Sequence, residues 1–320
     1  MAAIVLKQNN PGYIDATGVG ADAVDKSIDA LRVRYNSHPL QGARFYETVD
    51  ASGKGGVWKV SDYGTILELP RRSEDSERIP MVTPWKGFSK SFTPRNYRLG
   101  IQIERSFMED QLMPVAIKMA GGLMNATRVL MEHSFAFQFN NATSSSYIGG
   151  DGMAFSSTAH PFERRTQGTW SNQETASALT HAHYNTARIN MRKRTDEHGD
   201  RQPLVPVELI IPVDLEKKAK EIFQSEKVDD IALNTKNVLQ GSISIFVYDW
   251  MTSTTQWIIR GNRDSLSEDK GLYHVVTAAP SIAPTEGQDK STDIILGRRI
   301  RMRFVDGFVH GKNYQFNAGA

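Results

Sequence analysis

The chain has 320 residues, 39% of them hydrophobic and 23% charged, with 38 Lys and Arg against 36 Asp and Glu and no cysteine. That composition fits a folded chain of one large domain or two ordinary ones. It excludes disulfides, thiolate metal sites and cysteine nucleophiles, and a net charge of +2 is not that of a sequence-specific DNA binder, which carries a strongly basic face.

No run of apolar residues is long enough to span a bilayer. The opening MAAIVLKQNNPGYIDATG holds an apolar patch of four residues, shorter than a secretory core segment. Residues 1–40 show no clear periodicity apart from one short helix expected around Ala21–Val33. They read as an arm that is mobile or docks elsewhere.

Residues 41–107 carry a series of strand-like runs: ARFYETV, GGVWKV, TILELP, GFSKSF and YRLGIQI. In the last, Tyr97, Leu99, Ile101 and Ile103 alternate with Arg98, Gly100, Gln102 and Glu104, the period of a half-buried strand. Between the runs lies RRSEDSERIP, with no apolar residue before Ile79, which reads as an exposed tip. A strand arm of about 15 residues reaches about 50 Å, and a two-stranded ribbon is marginally stable by itself. Trp58, Trp85, Phe88 and Phe92 are therefore expected to draw part of their burial from another surface. With Arg71, Arg72, Glu74, Asp75, Glu77 and Arg78 of the tip they form the candidate contact set.

Residues 110–140 predict the longest helix. Asp110 is placed to cap it, and Pro114 falls in the first turn, where a missing N–H costs nothing. Leu112, Ala116, Met119, Leu123, Ala126 and Leu130 form an apolar stripe, and Gly121-Gly122 marks either a bend or a close approach of another backbone. A Ser- and Gly-rich loop, TSSSYIGGDGMAFSSTAHPF, follows. In HAHYNTARINMRKR, Thr180 is a suitable N-cap, and Tyr184, Ala187 and Met191 recur at helical spacing, so residues 181–194 should be a helix. VELIIPVDLEKKAKEIFQ reads as a strand, a break at Pro212 and a helix capped by Asp214. Its apolar face is Leu215, Ala219, Ile222 and Phe223. SISIFVYD and QWIIRG are two further strands. The tail is β: in GRRIRMRFVDG, Ile300, Met302 and Phe304 face one way, and Arg299, Arg301 and Arg303 the other. Those arginines form either an ordinary solvated sheet face or a basic face meeting acidic partner residues or a polyanion.

Catalytic signatures are missing. ASGKGG lacks phosphate-loop spacing, and no strand precedes GVGADA. No G-x-S-x-G or H-E-x-x-H occurs. His160, His181 and His183 would serve a metal-dependent enzyme if residues 181–194 were a strand or loop. On a helix, residues i and i+2 lie about 200° apart, so His181 and His183 could not share a metal.

The order of parts, carried by YRLGIQIERSFMEDQL, DGMAFSSTAHPF, LTHAHYNTARINMRKRTDEHGDRQPLVPVELIIPVDLEKKAKEIF, QWIIRG and GRRIRMRFVDGFVHGKNYQF, resembles the major capsid proteins of tailed bacteriophages. The likeness spans roughly residues 40–320 and is nearest to Mu-like major head subunits. It implies an α+β Hong Kong 97-type fold: an N-terminal arm (1–40), an extended β loop lying over a neighbouring subunit (41–107), a peripheral domain with a spine helix (108–171), an axial domain (172–287) and terminal strands of the peripheral domain (288–320).

The function implied is assembly rather than turnover, with no cofactor. Pentamers and hexamers would close an icosahedral shell around double-stranded DNA, contacted without sequence preference. A portal is an implied partner, with a separate scaffolding protein or none, because a spine starting near residue 112 leaves no room for a long scaffolding segment. A chain starting at Met1 reads as uncleaved. No membrane is implied; the location would be the virion capsid, assembled in the host cytoplasm. Lys54, Lys59, Lys86 and Lys90 lie in the loop, but no acid–Lys–Asn arrangement for an isopeptide crosslink is legible. An encapsulin-like nanocompartment shell is the related alternative.

Overall fold

The computed structural model describes residues 39–53, 56–63, 81, 86–104, 113–162, 168–195, 201, 203–227, 236–262, 270–284 and 294–320. The helix expected at Ala21–Val33, Asp110, the tip residues 71–78 and Trp85 lie outside them. The first strands are β1 (Glu47–Asp50), β2 (Trp58–Tyr63), β3 (Lys86–Phe92) and β4 (Arg95–Glu104), followed by helix α1 (Met113–Asn140). Next come β5 (His160–Pro161), β6 (Thr169–Trp170), helix α2 (His181–Arg192), β7 (Val205–Ile211), helix α3 (Glu216–Gln224), β8 (Ser244–Val247) and β9 (Trp257–Asn262). The chain ends in β10 (Leu272–Pro284), β11 (Ile294–Phe308) and β12 (Tyr314–Asn317). No helix among the described residues is long and apolar enough to cross a membrane.

Two four-stranded sheets organise these elements, one in the order β1-β10-β11-β4 and the other β12-β9-β7-β8. In the first, the alternation read in β4 holds in part: Tyr97 pairs with Met302 and Leu99 with Ile300, and the Tyr97 ring stacks 4.8 Å from Phe304, but Leu99 is 51% exposed. This apolar side meets α1, where Leu123 and Met124 pack on Ile300. In the second sheet, α2 and α3 lay Tyr184, Ala187, Met191, Ala219, Ile222 and Phe223 against β7 and β9. Thr180 caps α2, its hydroxyl accepting from the His183 amide at 3.2 Å. Asp214 does not cap α3. A 3-10 turn, Val213–Leu215, intervenes, and Leu215 takes the N-cap position without a side-chain bond.

The buried line of α1 differs from the expected stripe. Met119 is 43% exposed, whereas Met124, Thr127, Phe135 and Phe139 are buried. The helix carries apolar residues on more than one face, and the large rings at 135 and 139 decide which face turns inward. Within the chain nothing lies within 4 Å of a Cβ built at Gly122, and α1 runs through the glycine pair unbroken.

The expected segments also divide differently. β1 and β4, read as parts of the 41–107 excursion, belong to the first sheet, and β12, read with the terminal strands, joins the second. The cause is a shared aromatic core. Phe45 and Tyr46, Phe135 and Phe139 of α1, Phe155, Tyr248, Phe308 of β11, and Tyr314 and Phe316 of β12 form one cluster. The chain passes through it from sheet to sheet. Phe155 lies 4.7 Å from the Phe308 ring and 4.8 Å from Phe316.

A second tie is ionic. Glu208 on β7, 1% exposed, meets Arg44 at 2.6 Å and Arg260 at 3.2 Å. Removing Glu208 leaves Arg260, mostly buried, without its partner, while Arg44 is nearly half exposed and turns to water. Glu208→Ala is therefore expected to lower unfolding stability by about 1–2 kcal/mol, less than for a fully buried pair, measured by denaturant titration.

The 3-10 turn Gly42–Phe45 is held against α1 by Glu132, whose carboxylate accepts from the Gln41 amide at 2.5 Å and the Gly42 amide at 3.1 Å. A Cβ at Gly42 would lie 2.5 Å from both Phe135 Cβ and Tyr248 Oη, so only glycine fits. Gly42→Ala is expected to destabilise by about 1–3 kcal/mol through overpacking. Gly122→Ala, opening onto free space, is expected to stabilise by about 1 kcal/mol. Thermal unfolding of the two variants checks the opposite signs.

Candidate subunit-contact surface

The face of the first sheet turned away from α1 has two halves. One is covered by the β2–β3 ribbon, whose strands pair from Trp58↔Phe92 to Tyr63↔Lys86. Phe92 is 2% exposed within its own chain, against the expectation that it needs another surface. Gly307 of β11 makes the slot: a Cβ there would lie 2.6 Å from Phe92 Cε1. Ala51, Tyr273, Val275 and Val309 complete the cluster, with half-buried Trp58 beside it. Phe88 is also half-buried, its Cβ close to Gly150. The base of the excursion is thus anchored on its own chain.

Lys90 fixes the ribbon to the loop after α1. Its Nζ donates to the Ile148 carbonyl at 2.6 Å and lies over the Phe92 and Phe308 rings. Burial pulls its pKa down from 10.5 to about 8, with nearby Asp151 opposing.

The other half of the face is basic. Arg299 and Arg301 are exposed, Arg303 is partly buried, and Ile300, Met302 and Phe304 are buried on the opposite side, as the alternation predicts. Arg98 of β4, exposed and directly opposite Arg301, adds a fourth guanidinium. Sequence reasoning missed it, although the period that put Tyr97 and Leu99 on one side also put Arg98 on the other.

The three histidines do not converge. His160 is fully buried, its Nδ1 2.6 Å from Asp151 Oδ2 and its Nε2 3.0 Å from Asn172 Oδ1. The Asn172 side-chain amide donates to the Phe155 and Gly311 carbonyls at 2.8 and 3.2 Å, and its Oδ1 accepts from Ser157 N. That arrangement makes Nε2 a donor, and both ring nitrogens are already occupied by partners within the chain. The ring stacks 4.4 Å from Trp170, and the Arg194 guanidinium lies 4.8 Å from Trp170 as well. Burial lowers the Arg194 pKa to about 10, against the pull of Glu174. His181 and His183 sit on α2, and His183 Nδ1 is taken by the Ala178 carbonyl at 2.9 Å. Among the described residues no group of three His, Asp or Glu could hold a metal. The hub of Asp151, His160, Trp170, Asn172 and Arg194 ties loops to β12, and the sequence hinted at it only through DGMAFSSTAHPF.

Across this geometry the chain has the Hong Kong 97-type fold of phage capsid proteins. It is similar to the capsid structure of the cyanophage P-SCSP1u (9% identity, 86% of each chain, TM-score 0.54). It is also similar to a structure from Mycobacterium phage Patience (11% identity, 99% of this chain and 95% of that one, TM-score 0.53), and to the procapsid of bacteriophage JBD30 (11%, 95% and 76%, TM-score 0.53). Within that fold, residues 173–251 match the family described as Mu-like prophage major head subunit gpT. None of the curated proteins matches the sequence.

Lys90 yields a pH test. Its folded pKa lies below its unfolded one, so the folded state holds fewer protons between about pH 8 and 10.5, and stability rises with pH across that window. Lys90→Met is expected to raise the unfolding midpoint at pH 7 and to flatten the parent's gain between pH 8 and 10, read by thermal scans.

Proposed function

We propose that the chain is a major capsid subunit of a phage head, self-assembling into pentamers and hexamers of a closed icosahedral shell that encloses double-stranded DNA. The observation carrying this is the match of residues 173–251 to the Mu-like major head subunit family inside a whole chain with the capsid fold. That family match favours a head over a nanocompartment holding enzyme cargo.

The physical logic is assembly of identical chains. Contacts between copies that close by rotation make rings, and rings tile a shell. Each contact can be weak, since every further contact within a partly built shell is effectively intramolecular. In this reading residues 1–40 act as an arm, the β2–β3 excursion with residues 71–78 reaches a neighbour, the first sheet and α1 form the peripheral part, and the second sheet with α2 and α3 forms the axial part. A portal and a separate scaffolding protein complete the head, and packaged DNA is held without sequence preference. The role is structural, with no catalytic step, in a virion built in the host cytoplasm.

Negative-stain microscopy of the expressed protein tests this. Uniform hollow particles, sheets or tubes are expected. Small monodisperse monomers across a range of salt, pH and protein concentration would overturn it.

A further inference from the structure

We infer that the outer edge of β4 pairs with itself: two copies of the chain join antiparallel across a two-fold axis at Gly100 and form one continuous eight-stranded sheet. The pairing rests on the strand and its surroundings, and it stands whether or not the copies close a shell.

The edge is long and unguarded. Among the described residues β4 pairs with β11 alone and ends the order β1-β10-β11-β4. It therefore presents an outer row of backbone N–H and C=O groups, the template on which another strand adds. Folded chains blunt such edges with Pro, Lys, bulges or a very short strand. β4 has ten residues, none of them Pro or Lys, and its register on β11 is regular from Arg95 to Ile103. Beside the edge, the side toward α1 is apolar and open. Leu99 is 51% exposed and Met119 43%. With Ile101, Gly122 and Leu123 they line a notch of about 390 Å³, and Gly122 leaves the helix wall bare there. An open edge with an apolar notch alongside receives both the backbone and the side chains of an incoming strand.

The strand is complementary to itself, which points to a second copy as the occupant. Residues directly opposite in an antiparallel pair share one side of the sheet and interact there. A register centred on Gly100 sets Leu99 against the partner's Ile101, apolar on apolar, and Arg98 against the partner's Gln102, a donor on an acceptor. Centred on Arg98 instead, the pair would oppose two like charges. In the Gly100 register the two Arg98 residues stand four positions apart along the strand, about 14 Å, beyond the screening length of about 8 Å at physiological salt. Glycine on the axis lets the two backbones meet without a side chain crowding the arginine side. The two-fold places both notches on the same side of the joined sheet, where Leu99 and Met119 of each copy shield those of the other from water. An isologous pair of this kind is closed: it covers both edges at once and creates none. A strand from any other chain would carry its own second edge to the surface.

The test places single cysteines in a chain that has none. A Cβ at Gly100 meets nothing nearer than the Arg298 carbonyl at 3.5 Å, so Gly100→Cys fits the fold. On the axis its Cα lies about 4.5–5.5 Å from its mate, within the span of a disulfide. Mild oxidation of the full-length variant is expected to convert most chains to a covalent dimer. Arg98→Cys or Gln102→Cys alone, each about 14 Å from its mate, should give little, whereas a mixture of those two variants should give a crosslinked heterodimer. Leu99→Lys with Met119→Lys puts charge into the apolar seam and is expected to weaken association, read by sedimentation, by more than about 10-fold. The dissociated subunit should keep the parent's circular dichroism and unfolding midpoint, because both side chains are exposed. Absence of crosslinking at Gly100, or equal crosslinking at all three single positions, overturns the pairing. A Gly100→Cys thiol that neither crosslinks nor reacts with maleimide overturns it too, and assigns the edge to another part of the same chain. Dimers crosslinked at Gly100 in a protein that forms no particles leave the pairing standing and sink the head-subunit reading. Particles whose Gly100→Cys chains stay uncrosslinked do the reverse.

Discussion

The structure depends on one packing constraint: a single cluster of aromatic rings has to be filled from both sheets at once. Phe45 and Tyr46 enter from the turn at Gly42, Phe135 and Phe139 from α1, Phe308 from the first sheet, and Tyr314 and Phe316 from the second. Removing any one ring opens a cavity whose cost scales with its volume, so no quarter of the cluster is optional. The Glu132 carboxylate, bonded to the Gln41 and Gly42 amides, sets the angle at which the chain enters. The Arg44–Glu208–Arg260 group extends the same clamp to β7. Two sheets that could have been separate domains are thereby joined into one packed body, in a chain with no cysteine to staple it.

How much of this was legible in the sequence depends on how local the cause was. The α2 helix was readable because its cap, its three core residues and its spacing all lie within twelve positions. The two faces of β4 and β11 were readable because period-2 alternation survives burial on one side. The buried line of α1 was misplaced because apolar residues wrap more than one face and the deciding partners, Tyr248 and Phe308, lie over a hundred residues away. The destination of β12 was invisible for the same reason. It follows β11 closely in sequence yet pairs with β9, and only the shared core explains the jump.

The candidate contact residues divide along the same line. Phe92 was expected to need a partner, but a glycine on a strand far along the chain makes room for it, and no local pattern announces such a slot. The arginine alternation was plain in the sequence, whereas its pairing with Arg98 required the register of β11 on β4. The histidines illustrate the converse. Three of them drew notice as metal ligands, and the one at the centre of the fold, His160, spends both nitrogens on Asp151 and Asn172 to close loops. A buried imidazole with two partners stiffens its surroundings.

A shell subunit faces opposed demands. It must be rigid enough for each copy to present the same edges, yet its contacts must be weak enough individually for misplaced copies to leave. The fold separates these demands in space. Rigidity is assigned to apolar and aromatic packing deep inside, which salt and pH scarcely touch. The outer face of the first sheet is left with charge, whose strength at the surface falls with salt and with distance. On the proposed reading, in which the segment between β2 and β3 meets a neighbour, a base pinned by Phe92 and Lys90 lowers the entropy lost in that contact, so that precision would come from the anchored base and reversibility from surface charge.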